Sequence, residues 1–131
     1  MSQIEMVCLE DLIPKSHSYR LFREYLPESL MSKHLKGIEQ LQGANGYGIE
    51  RLFLCLLLQF MEDLSDRELE RFLRENTAGK WFCGFTLSDK TPDYSLFTHV
   101  RTRIGSKRLS ILFSSMRKQL KDAGLMSEVF P

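Results

Sequence analysis

Apolar positions recur at helical spacing along most of the chain. The clearest case is residues Ile49–Glu62, which are apolar on nearly every side and therefore predict a buried central helix. A narrower apolar stripe of Leu69, Phe72 and Leu73 predicts a second helix over Asp66–Glu75. Because β-branched residues are few and Leu, Glu, Lys and Arg are abundant, the sequence predicts an all-α fold.

Two local signals define the second helix. Ser65 is a natural N-cap, and Glu68 lies three residues further on, so the pair predicts a capping box. Glu70 and Arg74 are four residues apart, which predicts an ion pair on the outer face of the helix.

Caps, prolines, glycines and apolar spacing predict the remaining elements: an arm or short turn over Ile4–Pro14, a helix from the cap Ser16 to about Leu26, a helix Pro27–Lys36, a loop Leu41–Gly48, a core-filling helical turn Gly79–Phe85 containing Trp81 and Phe82, and a last helix Lys107–Ala123. We expect six or seven helices around one core. A single domain would comprise an arm and first helices over 1–40, a helix-turn-helix-like core over 49–105 and a C-terminal basic helix over 107–123.

The stretch Pro92–Ile104 predicts a helix with two different faces. Thr91 is a natural N-cap, and Pro92 fits the first helical position. At 100° per residue the apolar arc, predicted to be buried, holds Tyr94, Phe97, Val100 and Ile104. The opposite face holds Ser95, His99, Thr102 and Ser106, flanked by Thr98 and Arg103.

That outer face is short, polar and able to form hydrogen bonds. It has none of the long Glu and Lys side chains common on a merely solvated helix, and it resembles a recognition helix that enters the major groove of DNA. Arg101 lies at the edge of the apolar arc, where a packed stem and a locally paired head are more typical than a base contact.

The formal net charge of the chain is only +1, so the charge argument for DNA binding rests on local clusters of charged residues. Residues Tyr94–Lys121 contain no Asp or Glu but hold seven bases: Arg101, Arg103, Lys107, Arg108, Arg117, Lys118 and Lys121. Residues Glu62–Glu75 hold six acids and three arginines. A segment with bases and no acids is typical of a surface that binds phosphate. Charge alone, however, fits a solvent-exposed face equally well.

Other chemistry is weakly represented. Three cysteines and three histidines are scattered without the spacing of metal ligands, which favours free thiols in a reducing compartment. The N-terminus carries acids where a signal peptide carries bases, and the longest apolar run, Leu52–Met61, is too short to span a membrane. We expect a cytoplasmic protein with no membrane and no small-molecule substrate as partners.

Two functions follow from the residues. In the first, double-stranded DNA is the partner: Arg103, Lys107 and Arg108 contact phosphates, while Ser95, Thr98, His99 and Thr102 tune the sequence preference. Residues Ile49–Glu62, Asp66–Glu75 and Pro92–Ile104 would then form an expanded helix-turn-helix. In the alternative, the acidic segment Glu62–Glu75 and the apolar helix Ile49–Met61 serve dimerisation or docking.

Residues Leu56–Ile104 resemble the N-terminal domain of bacterial insertion-sequence transposases with a DDE catalytic core. The matching motifs are "LSDRELE" at Leu64–Glu70, Asn76, "WFCG" at Trp81–Gly84 and "PDYSLFTHVR" at Pro92–Arg101, with a similar opening at Leu9–Phe22. The family often has His, Thr and Arg where Tyr94, Leu96 and His99 stand here.

The resemblance implies a helical domain that binds the terminal inverted repeats of the element and helps the protein to self-associate. In the family a separate ribonuclease-H-like domain carries three carboxylates that hold divalent metals, and its first Asp follows a segment like Leu120–Phe130. We therefore expect that the catalytic domain is absent from these residues. The 131 residues alone would have no catalytic residue, metal or cofactor, and no nuclease activity.

Overall fold

A computed structural model describes residues 8–38 and 46–125. Its helices are α1 (Leu9–Leu12), α2 (Ser18–Glu24), α3 (Glu28–Leu35), α4 (Ile49–Glu62), α5 (Asp66–Glu75), α6 (Thr77–Cys83), α7 (Tyr94–Ile104) and α8 (Ser106–Asp122). The two described ranges contain no β-strand, so the predicted all-α class is confirmed. The described residues form eight helices, against the six or seven expected, and the additional one is α1, a single turn within the predicted arm.

Helix α4 lies at the centre of the fold and has the predicted bounds. It packs against α3, α5, α6 and α7, and side chains on every side of it, including Leu52, Phe53 and Leu57, are fully buried. A helix with apolar side chains on every side can bury them all only when other helices surround it. The other helices pack around α4, and α8 packs against α7 and α3 and stacks Phe113 on Phe53 of α4.

The turn from α4 to α5 takes only three residues. Asp63 adopts the left-handed conformation (φ 54°) and ends α4. Ser65 then begins α5 through the predicted capping box: the Glu68 amide donates to Ser65 Oγ at 3.1 Å, and the Ser65 amide donates to Glu68 Oε1 at 2.9 Å. The predicted ion pair of Glu70 and Arg74 is also present, at 2.9 Å.

The N-terminal elements differ in detail from the prediction. Helix α2 begins at Ser18, and its cap is His17, whose Nδ1 accepts the Tyr19 amide at 3.0 Å, so the expected cap Ser16 is wrong. The imidazole reaches an amide that the Ser16 hydroxyl, one residue earlier, does not contact. The predicted arm forms one helical turn at Leu9–Leu12. Residues 41–45 of the predicted loop lie outside the described residues.

Helix α6 carries two aromatic side chains, Trp81 and Phe82, that were both predicted to lie in the core and that differ in burial. Phe82 is fully buried, as expected. Trp81 is only partly buried: its indole N–H donates to Glu10 Oε2 at 2.6 Å, and the guanidinium of Arg20 lies 4.8 Å from its ring centroid. Trp81 therefore packs against the core as predicted but is not enclosed by it, because its polar N–H binds a carboxylate at the surface. This cluster ties the first helical turn to α6.

Candidate nucleic-acid interface

Helix α7 begins two residues later than its sequence predicted. Asp93, not Thr91, is the N-cap, and its carboxylate accepts the amides of Ser95 at 2.9 Å and Leu96 at 3.4 Å. A second carboxylate, Glu70 of α5, accepts the Tyr94 amide at 2.8 Å. Two acids thus occupy the N-terminal end of α7, and they would repel a phosphate placed there.

The inner face of α7 departs from the predicted arc at two residues. Phe97, Val100 and Ile104 are buried as predicted, but Leu96 is buried as well, and Tyr94 is 39% exposed. The Tyr94 ring turns outward, where the guanidinium of Arg67 lies 4.0 Å from its centroid. Cation–π stacking of this kind lets an aromatic ring remain at the surface. The expected burial of Tyr94 is therefore wrong.

The outer face of α7 and the start of α8 are both exposed. The seven side chains predicted to contact DNA are all exposed: Ser95, Thr98, His99, Thr102, Arg103, Lys107 and Arg108. One residue, Gly105, joins the two helices with φ 89°, a conformation that L side chains rarely adopt. We call this set of seven side chains the α7–α8 face.

The hydroxyl groups on the α7–α8 face already donate within the protein. Ser95 Oγ donates to Asp93 Oδ1 at 2.5 Å, and Thr98 Oγ1 donates to Asp66 Oδ2 at 2.9 Å. Thr102 Oγ1 donates to the Thr98 carbonyl at 3.1 Å. Since each hydroxyl has a single hydrogen, these oxygens present acceptor lone pairs to the outside.

Thr98 is positioned by a network that joins three helices. Asp66 at the start of α5 accepts Arg101 of α7 at 2.5 Å and Gln59 of α4 at 2.7 Å. Arg101 also donates to Gln59 Oε1 at 2.9 Å. The structural role expected for Arg101 is present, although its partners lie 35 and 42 residues away rather than locally. The network fixes α7 against the α4–α5 pair.

The same contacts keep Asp66 ionised. Burial by itself raises its pKa, but hydrogen bonds from Arg101, Gln59 and Thr98 together outweigh burial, and the pKa lies below the usual value of 3.8. A carboxyl group with a lowered pKa in the folded state stabilises the fold above its unfolded pKa. That contribution is lost as the pH falls below about 3.8 and through the folded pKa.

Asp66→Asn is expected to lower the free energy of unfolding by about 1–2 kcal/mol at pH 7. Loss of one partner of a buried pair costs more, but here the Arg101 and Asp66 side chains are 39% and 25% exposed. At pH 3 the difference from wild type should shrink. Urea unfolding at both pH values tests this, with Arg101→Gln and the double variant completing a cycle. An equal loss at the two pH values would contradict an ionic contribution.

The cations of the α7–α8 face have no acidic partner in the part of the chain that the structure describes. The ion pairs within those ranges involve Arg20, Arg51, Arg74 and Arg101. Arg108 contacts only the Ile104 carbonyl, at 3.5 Å. Positive charge at Arg103, Lys107 and Arg108 is therefore not neutralised by the carboxylates of residues 8–38 and 46–125.

Three of the four acids of α5 form contacts within the protein. Asp66 holds the network, Glu68 completes the capping box and Glu70 pairs with Arg74 and the Tyr94 amide. Across the described ranges, no group of three or more His, Cys, Asp or Glu side chains could hold a metal ion. No helix within those ranges has the length and apolar content to cross a membrane.

These observations define an all-helical domain with an exposed polar helix beside unneutralised bases. The chain belongs to the transposase domain family, because the family model described as "Transposase domain (DUF772)" matches residues 7–103. The matched region contains α1 to α6 and nearly all of α7, so the expected family is confirmed. Neither a comparison with curated proteins nor one with solved structures gave a match.

Proposed function

We propose that this domain binds double-stranded DNA through the α7–α8 face. The proposal depends on one observation: α7 exposes a row of short polar side chains, and the end of α7 and the start of α8 expose three cations. None of these cations pairs with a carboxylate of the described residues. Helix α5 packs against α7, and α6 lies in the connection between them, which fits an expanded helix-turn-helix. Helix α7 would enter the major groove.

The two kinds of side chain have different tasks. Arg103, Lys107 and Arg108 supply donors and positive charge for phosphates, which give affinity without sequence preference. The outward lone pairs of Ser95, Thr98 and Thr102 suit amino groups, which adenine (N6) and cytosine (N4) present in the major groove. His99 adds a ring that can donate or accept.

Membership of the transposase domain family gives this binding a context. We infer that the DNA is a terminal inverted repeat of a bacterial insertion sequence, recognised in the cytoplasm during transposition. Strand cleavage and its divalent metals would belong to a separate carboxylate-bearing domain. The burial of α4 supports the DNA proposal over a docking module, because most of that helix's apolar surface is used inside the fold.

The test is fluorescence anisotropy with a labelled duplex of the terminal repeat and a scrambled duplex of the same composition. We expect both to bind at 50 mM salt and the repeat to bind more tightly. Raising the salt to 200 mM should weaken both, because phosphate contacts release counterions. An absence of binding at 50 mM salt contradicts the proposal. Sedimentation of the same samples measures self-association separately.

A further inference from the structure

A stacked pair of side chains joins α5 to the first turn of α7. The guanidinium carbon of Arg67 on α5 lies 4.0 Å from the centroid of the Tyr94 ring, and both side chains are exposed. Residues four apart lie on one side of a helix, so Tyr94 lies one turn before Thr98 on α7. The stacked pair therefore borders the polar row of the α7–α8 face on the side of α5.

The hydrogen-bond donors of Arg67 remain available for a ligand. Across residues 8–38 and 46–125, Arg67 forms no hydrogen bond and no ion pair. Its guanidinium carbon lies over the Tyr94 ring, and the five N–H donors point outward from that carbon in one plane. The ring also limits the orientations of the guanidinium, so fewer of them are lost when a ligand binds. Arg67 is thus a planar set of donors held in place beside α7.

Carboxylates are near neighbours of Arg67 in α5 but do not pair with it. Asp66, Glu68 and Glu70 each accept hydrogen bonds from groups other than Arg67. At the start of α7, Asp93 accepts two backbone amides. Negative charge at these positions disfavours a phosphate on Arg67, because like charges repel. An uncharged acceptor does not meet this repulsion, so it suits Arg67 better.

We propose that Arg67, held on the Tyr94 ring, binds the major-groove edge of a guanine. The inference rests on the proposed DNA binding and names one base that the domain selects. Guanine presents two neighbouring acceptors in the major groove, O6 and N7, which one guanidinium can bind together, and this edge is uncharged. The lone pairs of Ser95, Thr98 and Thr102 suit the amino groups of adenine and cytosine instead. Arg67 therefore supplies the donors for guanine that these hydroxyl groups lack.

The first experiment selects duplexes from a pool with a randomised central stretch, at low salt. We expect the wild-type domain to enrich a guanine at one position. Arg67→Met keeps an apolar stem at an exposed position but removes every donor. Its selected duplexes should lose that guanine and keep the other selected bases. Arg71→Met is the matched control, because Arg71 is exposed one turn further along α5 and the change removes the same charge. This control should keep the guanine.

The second experiment tests the contact on the wild-type domain itself. Fluorescence anisotropy compares the selected duplex with one in which that guanine is 7-deazaguanine, which has a carbon in place of N7. We expect the substituted duplex to bind the wild-type domain about tenfold more weakly, and Arg67→Met to bind the two duplexes equally. Tyr94→Leu removes the ring and should reduce the difference, whereas Tyr94→Phe keeps the ring and should retain it.

The outcomes separate the two proposals. If Arg67→Met still enriches the guanine, or if wild type binds both duplexes equally, the Arg67 proposal is overturned and duplex binding stays intact. A uniform loss of affinity in Arg67→Met, with a weaker dependence on salt, would assign Arg67 to a phosphate and overturn it as well. Loss of the guanine in Arg71→Met, or equal behaviour of Tyr94→Leu and Tyr94→Phe, would contradict the role of the stacked pair. If the wild-type domain retains no duplex from the pool, the duplex proposal itself fails, and the guanine contact fails with it.

Discussion

Replacing Arg103, Lys107 and Arg108 together by glutamine is expected to lower the affinity for duplex DNA about a hundredfold at 0.1 M salt. Each lost phosphate contact removes about 0.9 from the slope of log K against log salt, so the triple variant should have a slope smaller by roughly 2.7. The preference for the terminal repeat over a scrambled duplex should change little, because phosphate contacts do not read sequence. Anisotropy titrations at four salt concentrations measure both quantities.

The matched control places the same change of net charge on another surface. Lys15, Lys33 and Lys36 are exposed: Lys15 precedes α2, Lys33 lies in α3 and Lys36 ends α3, so none of them belongs to α7 or α8. Their triple glutamine variant should bind nearly as well as wild type. Equal losses in the two triples would show that binding follows overall charge and is not located on the α7–α8 face.

Phe82→Ala is expected to have the largest effect on stability, about 3–5 kcal/mol. Phe82 is fully buried, its ring centroid lies 5.5 Å from that of Tyr19, and α6 contacts α1, α2, α4 and α5. Truncation removes contacts among all these helices and leaves a cavity. A loss of this size approaches the whole stability of a small domain. Urea unfolding followed by circular dichroism gives the value.

The neighbouring aromatic residue provides the comparison. Trp81→Phe removes the indole hydrogen bond to Glu10 but leaves an aromatic ring at a partly exposed position. We expect a loss of about 1 kcal/mol, since a hydrogen bond at the surface contributes modestly. If this variant lost as much stability as Phe82→Ala, the indole N–H would contribute far more than a hydrogen bond at the surface.

Local patterns predicted the parts of the fold that local forces determine. The bounds of α4 followed from an uninterrupted apolar pattern, and those of α5 from its capping box. The start of α7 was missed because Thr91, Pro92 and Asp93 are all acceptable near a helix N-terminus. Only the folded chain shows that the Asp93 carboxylate, supported by Glu70 from another helix, satisfies the first amides.

The sequence predicted which side chains lie on the outer face of α7, but it did not predict the contacts that these side chains make. Periodicity along one helix placed Ser95, Thr98, His99 and Thr102 outward, and all four are exposed. It did not show that Thr98 donates to Asp66, a residue 32 positions earlier in the chain. Nor did it indicate that Phe60 stacks on Phe113, because each residue fits an apolar pattern and the two meet only through tertiary packing.

Gly105 has a consequence for how binding specificity could change. Nothing lies within 4 Å of the position that a Cβ would take there, so conformation rather than space constrains this residue. Its two backbone torsions set the direction in which α8 leaves α7, and therefore the distance between the polar row of α7 and Lys107 and Arg108. If the domain binds DNA as proposed, a change at Gly105 alone would alter the spacing between these two groups of side chains while the side chains themselves stayed the same.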